Sequence, residues 1–289
     1  MKCTRGRVYL SQSKSRLGES GCTLVNISKQ ISISLRLENE VIMLFKRVKL
    51  VLAVTSVAAL VACGGGGSGG DVANADAQGY WTGQTSTGYT ANVAVLETGE
   101  TWGVYSSGSL IYGALYGTAI VSGNNVSITG TDFNFPTNSS STGTLTGLLT
   151  AKSTMSLSGS VGGTGVSVPL TYKTSYDTAA TSAAITGTWA FTGRSGSYTL
   201  LPGTITVDSA GRFTLNQTNC VTTGGIAPRS GGKNIYNLTL VGVGVGCAVG
   251  QSSMSGIAYL DTTVTPNKFL SLALTPGKND GVIVVGTKQ

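Results

Sequence analysis

The feature that most constrains how this chain can fold is a period of two. Val166, Val168, Leu170 and Tyr172 alternate with Ser167, Pro169, Thr171 and Lys173. Met155, Leu157 and Val161 alternate with Ser156, Ser158 and Ser160, and Val126 and Ile128 with Ser127 and Thr129. Leu270, Leu272 and Leu274 alternate with Ser271, Ala273 and Thr275. Successive side chains of a strand point to opposite faces, so each segment reads as a strand with one apolar and one hydroxyl-rich face. Half-buried strands of this kind pair antiparallel. Turn signals separate them at Ser122-Gly123-Asn124-Asn125, Ser209-Ala210-Gly211, Ser230-Gly231-Gly232 and Pro276-Gly277. Short strands punctuated at this spacing predict an all-β sandwich or barrel.

One stretch breaks the pattern. Tyr236, Leu238 and Leu240 put the apolar set on even positions, whereas Val241, Val243 and Val245 put it on odd ones, with Gly242, Gly244 and Gly246 between. A regular strand cannot switch faces, so a bulge or corner is expected near Leu240. The glycines would let another backbone or an aromatic ring approach closely.

The pattern also repeats. Gly79-Tyr-Trp81-Thr-Gly-Gln-Thr-Ser-Thr-Gly88 returns as Gly187-Thr-Trp189-Ala-Phe-Thr-Gly-Arg-Ser-Gly196, 108 positions later. Glu97-Thr-Gly99-Glu-Thr-Trp102 is echoed by Asp208-Ser-Ala-Gly211-Arg-Phe213, and Gly147-Leu-Leu by Gly256-Ile-Ala. A spacing that holds across both halves predicts two related units, 79–178 and 179–289. Chance similarity in a Gly/Thr-rich chain is the rival reading. A Gly-x-Trp at the first strand of a small β unit resembles the opening of lipocalin-like barrels. That resemblance rests on a few residues in each unit. It implies an up-and-down barrel of about eight strands per unit, with Trp81 and Trp189 packing across the closed ends.

Ahead of this body lies an address. Residues 43–49 carry Lys46, Arg47 and Lys49, Leu50 to Ala62 is an uncharged apolar run, and Cys63 follows. That is the order of a secretory signal. The run reaches roughly 20 Å as a helix against a hydrocarbon core of about 30 Å, too short for a permanent span. Leu60-Val61-Ala62-Cys63 resembles the lipobox of bacterial lipoproteins. The resemblance implies cleavage before Cys63 and lipid on its thiol and amino group. Stable anchoring takes two or more acyl chains, at about 0.8 kcal/mol per buried CH₂. In the lipoproteins it resembles, an aspartate after the cysteine favours inner-membrane retention, so with Gly64 there the resemblance implies the outer membrane. An ordinary signal with a chance cysteine is the alternative. Residues 64–78 are Gly-rich and read as a flexible tether. Residues 1–42 do not fit a signal that starts near a chain's beginning, so Met43 is the expected initiator, with 1–42 a mis-set start or a disordered extension.

The formal charge of +7 comes from this leader, because residues 1–62 hold 10 Lys/Arg and 3 Asp/Glu while 63–289 hold 9 of each. The mature body therefore has no basic footprint for nucleic acid. Cys3 and Cys22 precede the signal and Cys63 takes the lipid, which leaves Cys220 and Cys247. Two cysteines in an exported domain predict a disulfide, with two buried free thiols as the alternative.

Chemistry is sparse. With no histidine in the chain, a serine triad lacks its usual base and histidine-built metal sites are excluded. Seven carboxylates follow the tether: Glu97, Glu100, Asp132, Asp177, Asp208, Asp261 and Asp280. Glu97 and Asp208 sit beside predicted turns, where acidic side chains commonly bond the backbone. Tyr80, Tyr105, Tyr112, Tyr116 and Trp102 concentrate aromatics in the first unit, to fill a barrel core or, if exposed, to stack on sugars or a partner. A transmembrane barrel would need apolar outward faces and aromatic girdles. The pattern as a whole resembles uncharacterised outer-membrane lipoproteins. The expectation is a non-enzymatic envelope protein of two β-barrels, with no catalytic residue, metal or cofactor. It would be held to the outer membrane through lipid on Cys63 and bind a partner or small ligand. A structural or adhesive surface role is second. Cavity size separates them: an apolar cavity favours a ligand, and packed barrels with an exposed aromatic patch favour a partner.

Overall fold

The computed structural model describes residues 76–196, 198–247 and 252–289. Cys63, the 43–62 signal, most of the 63–78 tether and the 1–42 extension lie outside the described residues. Each half of the body closes into an eight-stranded antiparallel barrel. The first comprises β1 (Gly79–Gln84), β2 (Thr90–Val95), β3 (Glu100–Ser107), β4 (Leu110–Ser122), β5 (Asn125–Asn134), β6 (Ser139–Thr150), β7 (Thr154–Val161) and β8 (Thr164–Tyr172). The second comprises β9 (Gly187–Ser195), β10 (Tyr198–Val207), β11 (Arg212–Gln217), β12 (Cys220–Pro228), β13 (Ile235–Val243), β14 (Ser253–Asp261), β15 (Lys268–Leu274) and β16 (Gly281–Lys288). Neighbours in sequence are neighbours in each sheet, and β1 pairs β8 as β9 pairs β16. Closure removes the free edges that an open sheet would expose.

The repeat is visible atom by atom. The Trp81 indole N–H donates to the Ala77 carbonyl at 3.0 Å, and that of Trp189 to the Ile185 carbonyl at 2.8 Å, each four residues back. Both indoles are fully buried, one edge-on to Tyr172 and the other edge-on to Phe269. The second turn of each barrel is also shared. Gly99 N–H donates to Leu96 O while Ala119 N–H donates to Gly99 O; Gly211 N–H donates to Asp208 O while Ile226 N–H donates to Gly211 O. Both glycines have positive φ, and a Cβ on either would collide with the carbonyl of the strand opposite. Gly147 and Gly256 occupy the sixth strand of their barrels. The turn corrects one detail of the sequence alignment. Asp208 matches Leu96 rather than Glu97. Asp208 accepts from the Ala210 and Arg212 amides, whereas Glu97 is released to pair with Arg229 of the second barrel at 2.7 Å.

Between the barrels runs a short connection. It holds a 3₁₀ turn (Thr174–Asp177) and helix α1 (Ser182–Ile185), whose N-cap Thr181 accepts from Ala184 N–H. Ile185 closes the base of the second barrel beside Trp189. Lys288 donates to the Ala184 and Thr186 carbonyls at the end of α1, with its ammonium 4.9 Å from the Trp189 ring.

Two sequence expectations are corrected. The bulge expected near Leu240 is absent: β13 stays in register with β12 and β14 through Val241. Tyr236, Leu238, Leu240 and Gly242 all line the barrel, while Val243 is 56% exposed and Val245, beyond the strand, 93%. The face never switches; the valines simply point outward. The glycines do admit a close backbone, because a Cβ on Gly244 would lie 2.2 Å from the Asn219 carbonyl oxygen. The second correction concerns β15. Its leucines face outward and its Ser271 and Ala273 face the barrel interior. Both faces are buried, since β13–β16 turn their outer face, with Ile235, Ile257, Tyr259, Leu272, Leu274 and Ile283, into the apolar cluster that includes the first barrel's core.

Candidate functional site

Each barrel encloses a space, and volume distinguishes them. The second barrel holds about 120 Å³, walled by Phe191, Phe213, Leu238, Met254 and Phe269. That is smaller than the dry engineered cavity that admits benzene, about 150 Å³. At its mouth, Cys220 and Cys247 are joined, tying the start of β12 to the loop after β13. The first barrel holds about 360 Å³, within the range of small-ligand pockets, roughly 300–1,000 Å³. Its floor and walls are Ile128, Leu157, Val168 and Leu170, inward residues that the period of two singled out, together with Leu145.

The upper end of that cavity is polar and aromatic. Thr85 and Thr87 of the β1–β2 turn, Tyr89, Tyr105, Asp132, Asn134 and Thr164 surround it. Tyr89 is held by the turn, its amide donating to Thr85 Oγ1 at 3.0 Å. Its ring lies 5.6 Å from Tyr105 and 4.8 Å from Tyr112. Tyr112 sits in a bulge, where the β3–β4 register shifts between Tyr105 and Ser106.

Tyr105 and Asp132 are the centre of this end. They stand on β3 and β5, with β4 between them. Tyr105 is opposite Gly113, and a Cβ there would lie 2.1 Å from the Tyr105 hydroxyl oxygen. The missing side chain lets the phenol lie across β4, at the end of the cavity that Asp132 also lines. Burial raises the Asp132 carboxyl above its ordinary value, and the nearby Tyr105 hydroxyl offsets part of that rise. Burial likewise raises the Tyr105 phenol, with the Asp132 charge adding to it. Asp132 joins none of the ion pairs among the described residues, and no Lys or Arg lines the cavity. Sequence reasoning found Asp132 only as one carboxylate of seven; Gly113, unmentioned there, is what lets the Tyr105 ring lie across β4.

The remaining aromatics divide differently. Tyr105 is inside the barrel, but Tyr80, Trp102 and Tyr116 are on its outer surface, against the second barrel. Tyr80 stacks on Tyr259 with centroids 3.6 Å apart and planes 8° from parallel. The Lys278 ammonium lies 5.2 Å from the Trp102 ring and 4.8 Å from Tyr116. Trp81 and Trp189 are at the bases of their barrels, away from the mouths, and take no part in the site. Among the described residues, no group of three or more acidic or cysteine side chains comes together to hold a metal.

No family model matches this chain, and no curated protein does. Among solved structures it is similar to a Bacteroides fragilis protein provisionally named an outer membrane protein. They share 12% identity over 73% of this chain and 96% of that one, with a TM-score of 0.22. That likeness is too slight to bear on fold or activity.

Proposed function

We propose that this is a non-enzymatic envelope lipoprotein, anchored to the outer membrane through Cys63, whose first barrel binds a small and largely apolar ligand. The observation that carries the ligand reading is the cavity of about 360 Å³ with aliphatic walls and a polar mouth. A packed barrel would need no such space, and interiors normally leave few voids larger than water. Its lining offers one carboxylate and no basic side chain, a poor set for acid–base catalysis. The outward residues of β7, Thr154, Ser156, Ser158 and Ser160, are exposed hydroxyls, which suits a barrel in water rather than one facing lipid.

The test is a neutral apolar fluorophore, N-phenyl-1-naphthylamine, which brightens on leaving water. It should bind the parent protein saturably. Leu157→Trp, which fills the cavity from its wall, should abolish that binding while the far-ultraviolet dichroism of the barrel is retained. Equal binding by parent and variant refutes the ligand reading. A partner-binding reading has its own observation: Val221 and Val243, paired across β12 and β13, and Val245 beyond them are exposed. Replacing all three with threonine and measuring self-association and surface binding tests it.

A further inference from the structure

We propose that the ligand of the first barrel is a cationic amphiphile, an amine or quaternary ammonium on an apolar body, with its head against Asp132 and its tail along Leu157. This deepens the ligand reading and rests on it. Three observations point to the charge. First, Asp132 is the single charged side chain among the residues lining the cavity. Its carboxylate, with about four acceptor positions, joins no ion pair among the described residues. A desolvated charge of this kind is costly unless a partner of opposite sign completes it.

Second, the carboxylate is set among phenol rings. Tyr89 lies against both Tyr105 and Tyr112 at the same end. The faces of such rings attract cations, more strongly once water is excluded. Third, the same geometry works against the opposite charge. A fatty carboxylate entering head-first would set a second negative charge beside Asp132, which raises the cost of ionising both. Entering tail-first, it would leave the half-buried carboxylate still unpaired. A neutral alcohol meets neither penalty but gains no ion pair. The walls then select for an alkyl or ring body by burial of apolar area.

The experiment uses the full-length chain carrying Cys63→Ser, to keep it out of membranes. Bound N-phenyl-1-naphthylamine is displaced by decyltrimethylammonium, decylamine, decanol and decanoate, each below its micelle threshold. The two cations should compete about tenfold better than decanol, with decanoate the weakest. Asp132→Asn removes the charge at nearly the same volume and should bring the cations to within about threefold of decanol, each read against the fluorophore's own affinity for that variant. Decanol or decanoate matching the cations, or a cation preference that survives Asp132→Asn, overturns the inference while leaving the ligand cavity in place. Failure of the fluorophore to bind the parent chain removes both.

Discussion

Replacing Trp81 or Trp189 with phenylalanine should cost each barrel nearly the same free energy, and both losses should appear in one unfolding transition. Each indole is 0% exposed and donates to a buried carbonyl four residues earlier. Phenylalanine leaves that carbonyl without its donor, at about 1–3 kcal/mol. It also withdraws a few heavy atoms from a packed site, adding about 1 kcal/mol for the space left behind. The sum is about 2–4 kcal/mol for either variant. The barrels share apolar contacts from Tyr80 on one side to Tyr259, Leu272 and Ile283 on the other, so they should unfold as one cooperative body of about 210 residues. For a body of that size 1 kcal/mol corresponds to about 2–4 °C, so each variant should lower the midpoint by about 5–15 °C. Differential scanning calorimetry reads this directly. Two separated peaks, with each variant moving a different one, would refute the shared core. A shift under about 2 °C for either would refute the role given to the indole N–H.

Further outcomes follow from other sites. Replacing Cys220 and Cys247 together with serine should destabilise the protein by about 3–4 kcal/mol on the chain-entropy estimate for a 27-residue separation, measured by urea unfolding; an unchanged urea midpoint would show that the crosslink does not constrain the unfolded chain. Asp132 has a folded pKa raised by burial, so its penalty is absent below the ordinary carboxylate value near 4, grows as pH rises through the raised value, and is complete above it. Asp132→Asn should therefore be more stable than the parent at pH 7 and lose that advantage toward pH 4, in denaturant titrations at the two pH values. A constant difference across that range would mean that Asp132 titrates normally. Cys63→Ser should move the protein from the membrane to the soluble fraction, and continued membrane fractionation would contradict the lipid anchor.

Much of the site's scaffold was legible along the chain, and the reasons are local. Ile128, Leu157, Val168 and Leu170 were readable as inward residues because each alternates with a polar neighbour on a strand exposed on its other face. β15 was not readable in that way. Both of its faces are buried, so the period showed that the faces differ without showing which looks inward. The valines of 241–245 misled for a related reason: hydrophobicity alone does not distinguish a core face from an exposed apolar one.

By itself, the sequence determined the strands, their turns and the doubling of one unit, because alternation, glycine at turns with positive φ and the repeated Gly-x-Trp are short-range constraints written residue by residue. Only the tertiary structure decided which barrel keeps an open interior, since a cavity is the difference between the ring that eight strand pairings enclose and the side chains that fill it. It also laid the Tyr105 phenol over Gly113 and brought it to the same end of the cavity as Asp132, an arrangement of three strands. Nothing in the spacing of those residues encodes it, because the distance that matters runs across the sheet rather than along the chain.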